Sequence, residues 1–208
     1  MCGIIAMVSS SPTARTLIEG LKRLEYRGYD SAGVAVMNGN GIEVRKQSGK
    51  LRELQTLLES DPVDGTTGIA HTRWATHGEP NQVNAHPHVS MDGGVAHVYI
   101  GSVVNAQAIK ATLLKRGYTF KTETDTEVLA NLVHFHYDGN LESAVREALR
   151  HVDGTYGIAV MHADEPSKIV GARLGSPLIV GLGDGEFFIA SDVAAMLSET
   201  RQVIYLDD

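Results

Sequence analysis

The single cysteine of the chain, Cys2, directly follows the initiator methionine. Removal of Met1 would leave one residue carrying both a thiol and a free α-amine. An N-terminal amine has a pKa of about 7.7–8.0, so it is partly neutral near pH 7 and can accept a proton from the thiol. Such an amine is a known activating base for hydroxyl and thiol nucleophiles. By position alone, however, a cysteine present by chance is the simpler interpretation.

The densest group of polar side chains lies in residues 71–78, whose sequence is HTRWATHG. Arg73 offers a planar fork that can grip a carboxylate through two hydrogen bonds. Thr76 and His77 place further donors nearby. The structural alternative is an ion-paired arginine flanked by core histidines, and the segment alone leaves both interpretations open.

Several carboxylates are clustered in residues 123–127, at the predicted start of a helix. Helix capping by Thr124 or Asp125 is the simpler interpretation, with Glu127 in the first turn where a carboxylate suits the helix dipole. The functional alternative is that one carboxylate binds a substrate ammonium group. Together with an arginine that binds a carboxylate, it would recognise a free amino acid.

Two His-x-His pairs, at residues 86–88 and 134–136, resemble pairs of metal ligands. Neither has third and fourth ligands at a zinc spacing. The glycine-rich residues 171–177 lack the pattern of a phosphate-binding loop. We therefore predict no metal site and no cofactor, with a metal-binding protein as the least favoured alternative.

The elements that must position these residues follow from hydrophobic periodicity. The N-terminal half predicts strands at 2–8, 67–72 and 94–99, helices at 13–26 and 51–58, and a hairpin around 38–40. Helices are predicted at 105–116, 125–137 and 141–152, followed by strands at 157–162, 168–172, 178–182 and 186–190. This order allows two sheets with helices outside them.

Composition places the chain among globular proteins of one domain. It has 208 residues, of which 43% are hydrophobic and 21% charged. A net charge of −7 with scattered basic residues argues against nucleic acid as a partner. The absence of a long apolar stretch argues against a membrane span. A single cysteine suits a reducing compartment, and no signal peptide is evident, so we predict a cytoplasmic protein.

Seven segments, in order along nearly the whole chain, resemble one family. The sequence is similar to the N-terminal class II glutamine amidotransferase domain of the glutamine–fructose-6-phosphate aminotransferases, the glucosamine-6-phosphate synthases. The matching segments are residues 2–4, 23–33, 68–78, 84–88, 116–120, 123–127 and 175–178. The RGYDSAG stretch within 23–33 favours this family over related amidotransferases.

The resemblance implies an α+β fold, the four-layer α/β/β/α sandwich of the N-terminal-nucleophile hydrolases, over residues 1–208. It implies hydrolysis of L-glutamine to glutamate and ammonia by Cys2. The ammonia would serve glucosamine 6-phosphate synthesis in a C-terminal sugar-phosphate isomerase domain, which this chain lacks. A homodimer is possible in the full-length enzyme. The implied substrate-binding residues are Arg73 on the α-carboxylate, Asp125 on the α-amine, and Trp74, Thr76 and His77.

The chain departs from the family pattern at the end of a middle strand. The family usually has His-Asn-Gly there, whereas this chain has Tyr99, Ile100 and Gly101. Val104 replaces a glutamate shortly afterwards, and Ala6 replaces a common glycine. Gly101 keeps its place as a main-chain donor to the oxyanion, but the side-chain amide expected at position 100 is missing.

The missing amide has a predictable consequence. Loss of one oxyanion donor typically lowers turnover by ~10²–10³. We therefore expect a chain that folds and binds glutamine but hydrolyses it poorly. The alternative function is a catalytically impaired glutamine-binding or regulatory module.

Overall fold

The computed structural model describes residues 2–208 as two β-sheets packed face to face, with helices covering both outer surfaces. The predicted four-layer α/β/β/α architecture is confirmed. Among the described residues, no helix has the length and apolar character needed to cross a membrane.

The first sheet has seven strands, and its central strand follows directly from Cys2. Its strands are β1 (Gly3–Ser9), β2 (Ser31–Asn38), β3 (Gly41–Ser48), β4 (Thr67–Arg73), β9 (Ile179–Leu182), β10 (Glu186–Ala190) and β11 (Val203–Tyr205). Their order is β11-β9-β10-β1-β4-β2-β3. Strand β1 is therefore hydrogen-bonded on both sides, to β10 and β4.

The second sheet has four strands and carries the segment where the chain departs from the family pattern. Its strands are β5 (His88–Val89), β6 (Val95–Val103), β7 (Gly154–His162) and β8 (Val170–Leu174), in that order. All their pairings are antiparallel.

Five α-helices form the two outer layers among the described residues. They are α1 (Ala14–Lys22), α2 (Leu51–Ser60), α3 (Ala106–Leu114), α4 (Glu127–His136) and α5 (Leu141–Leu149). The apolar faces of α1 and α2 pack on the first sheet, and those of α3, α4 and α5 pack on the second. A third apolar layer lies between the two sheets. The fold therefore buries both faces of each sheet.

The predicted elements are confirmed apart from their ends. The helix expected at 13–26 ends at Lys22 and continues as a 3₁₀ turn at Glu25–Arg27. Helix α4 begins at Glu127 with Thr126 at its N-cap, so Asp125 is not the cap. Thr124 Oγ1 accepts the Glu127 N–H at 3.4 Å and partly supplies the predicted capping.

Side chains of β6 alternate between two environments, as the two-residue period of a strand requires. Ala96, Val98 and Ile100 pack in the layer between the sheets, whereas Val95 and Tyr99 face the helices. This alternation directs Ile100 towards the first sheet, which carries the cysteine.

Candidate active site

Cys2 lies at the end of β1, where Gly3 pairs with Thr72 of β4. Its sulfur accepts a hydrogen bond from the Trp74 main-chain N–H at 3.3 Å. Burial raises the pKa of the Cys2 thiol, and the Trp74 N–H and the charge of Arg73 partly offset that rise. The thiol is therefore largely protonated at neutral pH and needs a base before it can attack.

Residue 3, next to the thiol, must be glycine because its neighbours leave no space for a Cβ atom. A Cβ on residue 3 would stand 2.8 Å from both Leu24 Cδ1 and Thr72 Oγ1. The close packing holds the main chain next to Cys2 in one position. A rigid strand end of this kind is a suitable platform for a nucleophile.

Arg73, the last residue of β4, is 5% exposed. Within residues 2–208 its guanidinium donates to main-chain carbonyls, those of His77, Gly78 and Glu79, and to no carboxylate. The ion-paired arginine considered from the sequence is therefore not found. Three of the five guanidinium N–H donors serve these carbonyls, which leaves two for another acceptor.

Asp30 and Arg27 also belong to this site, although the sequence alone assigns them no role. Asp30 Oδ2 accepts the Ala75 N–H at 2.6 Å, so it holds the chain just after Arg73. Arg27 donates to the Cys2 carbonyl at 3.3 Å and to Asp192 Oδ2 at 2.8 Å. Both lie in residues 23–33, and that matching segment was the available signal.

The other residues of segment 74–78 lie at the surface. The Trp74 ring packs over Gly28, where a Cβ would come within 2.8 Å of the indole, and Trp74 remains 53% exposed. Thr76 Oγ1 lies 3.3 Å from His77 Nδ1. Because both side chains are exposed, the Thr76 hydroxyl and the His77 imidazole are available to a ligand beside Arg73.

Asp125 connects the second sheet to this segment. Its Oδ2 accepts the Val103 N–H at 2.8 Å, and its Oδ1 lies 3.9 Å from His77 Nδ1. The structure thus brings Cys2, Arg73 and Trp74 together, and brings His77 to Asp125. Among the described residues, this carboxylate forms no ion pair with a lysine or arginine side chain.

Gly101 lies two residues before Val103 on β6. It has φ +129°, and a Cβ there would stand 1.9 Å from the Thr155 carbonyl oxygen. The preceding Tyr99 donates its hydroxyl to that same Thr155 oxygen at 2.9 Å, and burial raises its pKa. Tyr99 therefore faces the helices, away from the inter-sheet layer that contains Ile100.

Four histidines form a buried group behind the site: His71, His86, His88 and His97. Neighbouring rings lie 4.1–5.9 Å apart between centroids. Burial lowers the pKa of His71 to about 3 and of His97 to about 4. Burial and the neighbouring histidines also hold the pKa of His86 and His88 well below the usual value. All four are therefore neutral core residues, as the structural alternative for His71 expected.

The two His-x-His pairs have other partners. His86 and His88 contact the hydroxyls of Thr126 and Thr124 at 3.0 Å. His134 lies 2.7 Å from the Tyr118 hydroxyl and 3.1 Å from Asp92. Throughout residues 2–208, no three His, Cys, Asp or Glu side chains are arranged to hold a metal ion.

Comparison with known proteins agrees with this arrangement. The family model of the glutamine amidotransferase domain matches residues 59–208. The chain is 51% identical over 208 residues to a glutamine–fructose-6-phosphate aminotransferase of Clostridium perfringens, and 51% identical to one of Thermus thermophilus. All of this chain is aligned in both comparisons, but it spans only 34% of each relative.

Solved structures show the same fold. The glutamine phosphoribosylpyrophosphate amidotransferase of B. subtilis superposes with a TM-score of 0.82 at 27% identity, covering 99% of this chain and 44% of that protein. A class II glutamine aminotransferase domain protein of Silicibacter pomeroyi has a TM-score of 0.65 at 14% identity, covering 91% and 88%. The fold is thus of the N-terminal-nucleophile type, and the chain belongs to the glutamine amidotransferase domain family.

Proposed function

We propose that this domain hydrolyses the side-chain amide of L-glutamine through a thioester on Cys2. The observation that carries the proposal is the position of the Cys2 thiol, in contact with Trp74 and beside a buried Arg73 that has no carboxylate partner among residues 2–208. A nucleophile next to an uncompensated guanidinium suits a substrate that carries a carboxylate.

The two ends of the amino acid have separate binding groups. Arg73 has two N–H donors left for the α-carboxylate, with Thr76, His77 and the Trp74 ring beside it. Asp125 offers a carboxylate, anchored by Val103, to the α-ammonium group. These contacts would fix one end of glutamine and leave its amide free to reach the thiol.

Met1 must be removed before the enzyme can act, because an intact Met1 would convert the Cys2 amine into an amide. The free amine takes the thiol proton, through a water molecule, and the thiolate attacks the amide carbon of glutamine. The C–N bond then breaks, the nitrogen gains the proton from the amine, and ammonia leaves a γ-glutamyl thioester. Water activated by the same amine cleaves the thioester, releasing glutamate and restoring the thiol.

Oxyanion stabilisation is the weak part of this mechanism. The proposed main-chain donor is Gly101, whereas position 100 has no polar group. Ile100 packs in the inter-sheet layer and cannot donate a hydrogen bond. We therefore propose that the domain binds glutamine well but turns it over slowly.

The relatives suggest the use of the product. Glutamine–fructose-6-phosphate aminotransferases are about three times longer than this chain, since it spans 34% of them. We propose that residues 1–208 form the glutaminase domain of such an enzyme in the cytoplasm, acting with an isomerase domain and, in the full-length enzyme, as a homodimer. Ammonia would then be transferred to fructose 6-phosphate to form glucosamine 6-phosphate.

Release of glutamate from L-glutamine tests the proposal, after mass spectrometry has confirmed the loss of Met1. We expect slow release of glutamate. Cys2→Ala should abolish this release, and a metal chelator should leave it unchanged. Glutamine binding with no turnover, and no Cys2 adduct with a glutamine-like electrophile, would instead support the binding-module alternative. Turnover that survives Cys2→Ala would refute the assignment of the nucleophile.

A further inference from the structure

The Asn84 side chain lies between the two segments that carry the proposed substrate-binding groups. It is 1% exposed. Its Nδ2 donates to the Glu79 carbonyl at 3.1 Å and to Glu123 Oε2 at 3.2 Å, and its Oδ1 accepts the Glu123 N–H at 3.0 Å. One buried amide therefore uses both its donor and acceptor groups to bridge residue 79 and residue 123.

Each end of this bridge leads directly to a binding residue. The Glu79 carbonyl also accepts a hydrogen bond from Arg73 Nη1 at 3.4 Å. Glu123 stands two positions before Asp125, whose carboxylate is anchored on β6. The Asn84 amide and the Arg73 guanidinium thus share one acceptor, the Glu79 carbonyl. On the other side, the amide binds Glu123, which is two positions before Asp125.

The bridged segments approach each other closely. At Gly78, with φ +75°, a Cβ would stand 2.8 Å from Asn84 Nδ2 and 3.0 Å from Glu123 Cβ. There is no room for the segments to move closer, and the hydrogen bonds prevent them from moving apart. The separation of the two segments is therefore fixed from both directions.

Asn84 is itself held firmly by its neighbours. Lys46 Nζ donates to the carbonyls of Val83 and Ala85, at 3.0 and 2.8 Å. The Asn84 N–H donates to Asn81 Oδ1 at 2.8 Å. Because these contacts do not involve its amide, a substitution at Asn84 should break the bridge while the main chain keeps its path.

We propose that Asn84 is a positioning residue that sets the distance between Arg73 and Asp125, and so selects ligands with both an α-carboxylate and an α-ammonium group. The inference rests on the proposed function of those two residues. A carboxylate cannot replace the amide, because it would face the Glu123 carboxylate and the Glu79 carbonyl with no hydrogen to donate.

The test compares the binding of L-glutamine and glutaramate, which is glutamine without its α-amine, by calorimetry on the complete chain. One hydrogen bond of usual net strength corresponds to about fivefold in an equilibrium constant. Asn84→Asp removes two donated bonds, so we expect the Kd for glutamine to rise by about tenfold or more. The preference for glutamine over glutaramate should fall, since misplacing Asp125 affects the ligand that has the amine.

Two further variants make the test independent of folding. Glu123 is exposed, and Glu123→Ala removes one contact of the bridge, so it should show the same loss of preference at smaller size. Asn131 is the matched control, because it is also fully buried and bridges two segments, through the Met91 N–H and the Thr119 carbonyl. Asn131→Asp should lower thermal stability and leave the preference unchanged.

The outcomes separate the inference from the function on which it rests. Wild-type affinity for glutamine in both bridge variants, or an equal loss of affinity for both ligands, would overturn the positioning role alone. If the unsubstituted chain binds no glutamine, the proposed function is wrong and the positioning role falls with it. A preference lost in Asn131→Asp as well would reduce the effect to a general loss of stability and overturn the inference.

Discussion

Replacing Ile100 by asparagine should raise glutamine turnover by about 10²–10³-fold, the usual effect of one oxyanion donor. Ile100 precedes Gly101, the proposed main-chain donor, and packs from β6 into the layer between the sheets. In the first sheet, the alternation of β1 directs Ile4 and Ala6 into that same layer. Since Cys2 continues this alternation, an amide at position 100 would point to the side on which the thiol lies.

The size of the effect can be compared with the cost of the substitution. A gain of 10²–10³ corresponds to roughly 2.7–4 kcal/mol of transition-state stabilisation. Removing the half-buried isoleucine side chain should cost about 1–2 kcal/mol of folding stability. Its partner across the ladder is Gly157, which has no side chain to clash with the new amide. A folded variant is therefore expected.

The assay is glutamate release under single-turnover conditions, with loss of Met1 confirmed by mass. Ile100→Ala is the control, because it removes the branched side chain without adding a donor. If Ile100 acts mainly by crowding the thiol, both variants will be faster to a similar extent. If the missing donor is the cause, only Ile100→Asn will show the large gain, and Cys2→Ala will abolish it.

One result would refute the reasoning. Turnover in a folded Ile100→Asn variant equal to that of the unsubstituted chain would mean that position 100 does not reach the oxyanion. Iodoacetamide labelling of Cys2 at the same rate in both proteins would show that the thiol itself is intact.

The stability of the domain should depend on the buried histidines and on the glycine at position 101. The lowered pKa values of His71 and His97, about 3 and about 4, mean that the unfolded chain binds protons near pH 6.5 that the folded chain does not. Stability should therefore fall as the pH drops below 6.5, by up to about 1.4 kcal/mol per pH unit for each such histidine; urea midpoints that are equal at pH 7 and pH 5 would contradict this. Gly101→Ala should cost at least about 2 kcal/mol, because its Cβ would meet the Thr155 oxygen at 1.9 Å. Gly117→Ala is the control, because Gly117 has φ +87° and no atom within 4 Å of the added Cβ. It should lose only the stability that a positive φ costs an alanine.

Local patterns were sufficient to predict the elements. The 3.6-residue and two-residue periods depend on neighbours along the chain, so the predicted strands and helices differ from the structure mainly at their ends. The short strands β5 and β11 are not predicted, because two or three residues are too few to show a period. The 13–26 helix is one example, since it ends at Lys22 and its last predicted turn is 3₁₀. Helix ends depend on capping contacts that a period does not encode.

The partners of individual side chains were less predictable. Arg73 could be expected to form an ion pair, yet its described partners are carbonyls of the following loop. Asp125 could be expected to cap α4, yet its carboxylate holds the Val103 N–H on another strand. The Arg73 acceptors come from the conformation of the loop that directly follows it, whereas the second sheet brings the Val103 N–H to Asp125, and sequence spacing encodes neither contact.

The sequence by itself determined the chemistry available to this protein: a lone thiol at residue 2, a guanidinium and carboxylates in matching segments, and an isoleucine where an amide is expected. Only the tertiary structure decided how these groups relate in space. Strand β1 pairs with β4 and β10, so that Cys2 meets Trp74 and the Ile4 N–H meets Ser191 across 187 positions of sequence. Such contacts depend on strand order and register, which are set by the burial of three apolar layers together and not by any single segment.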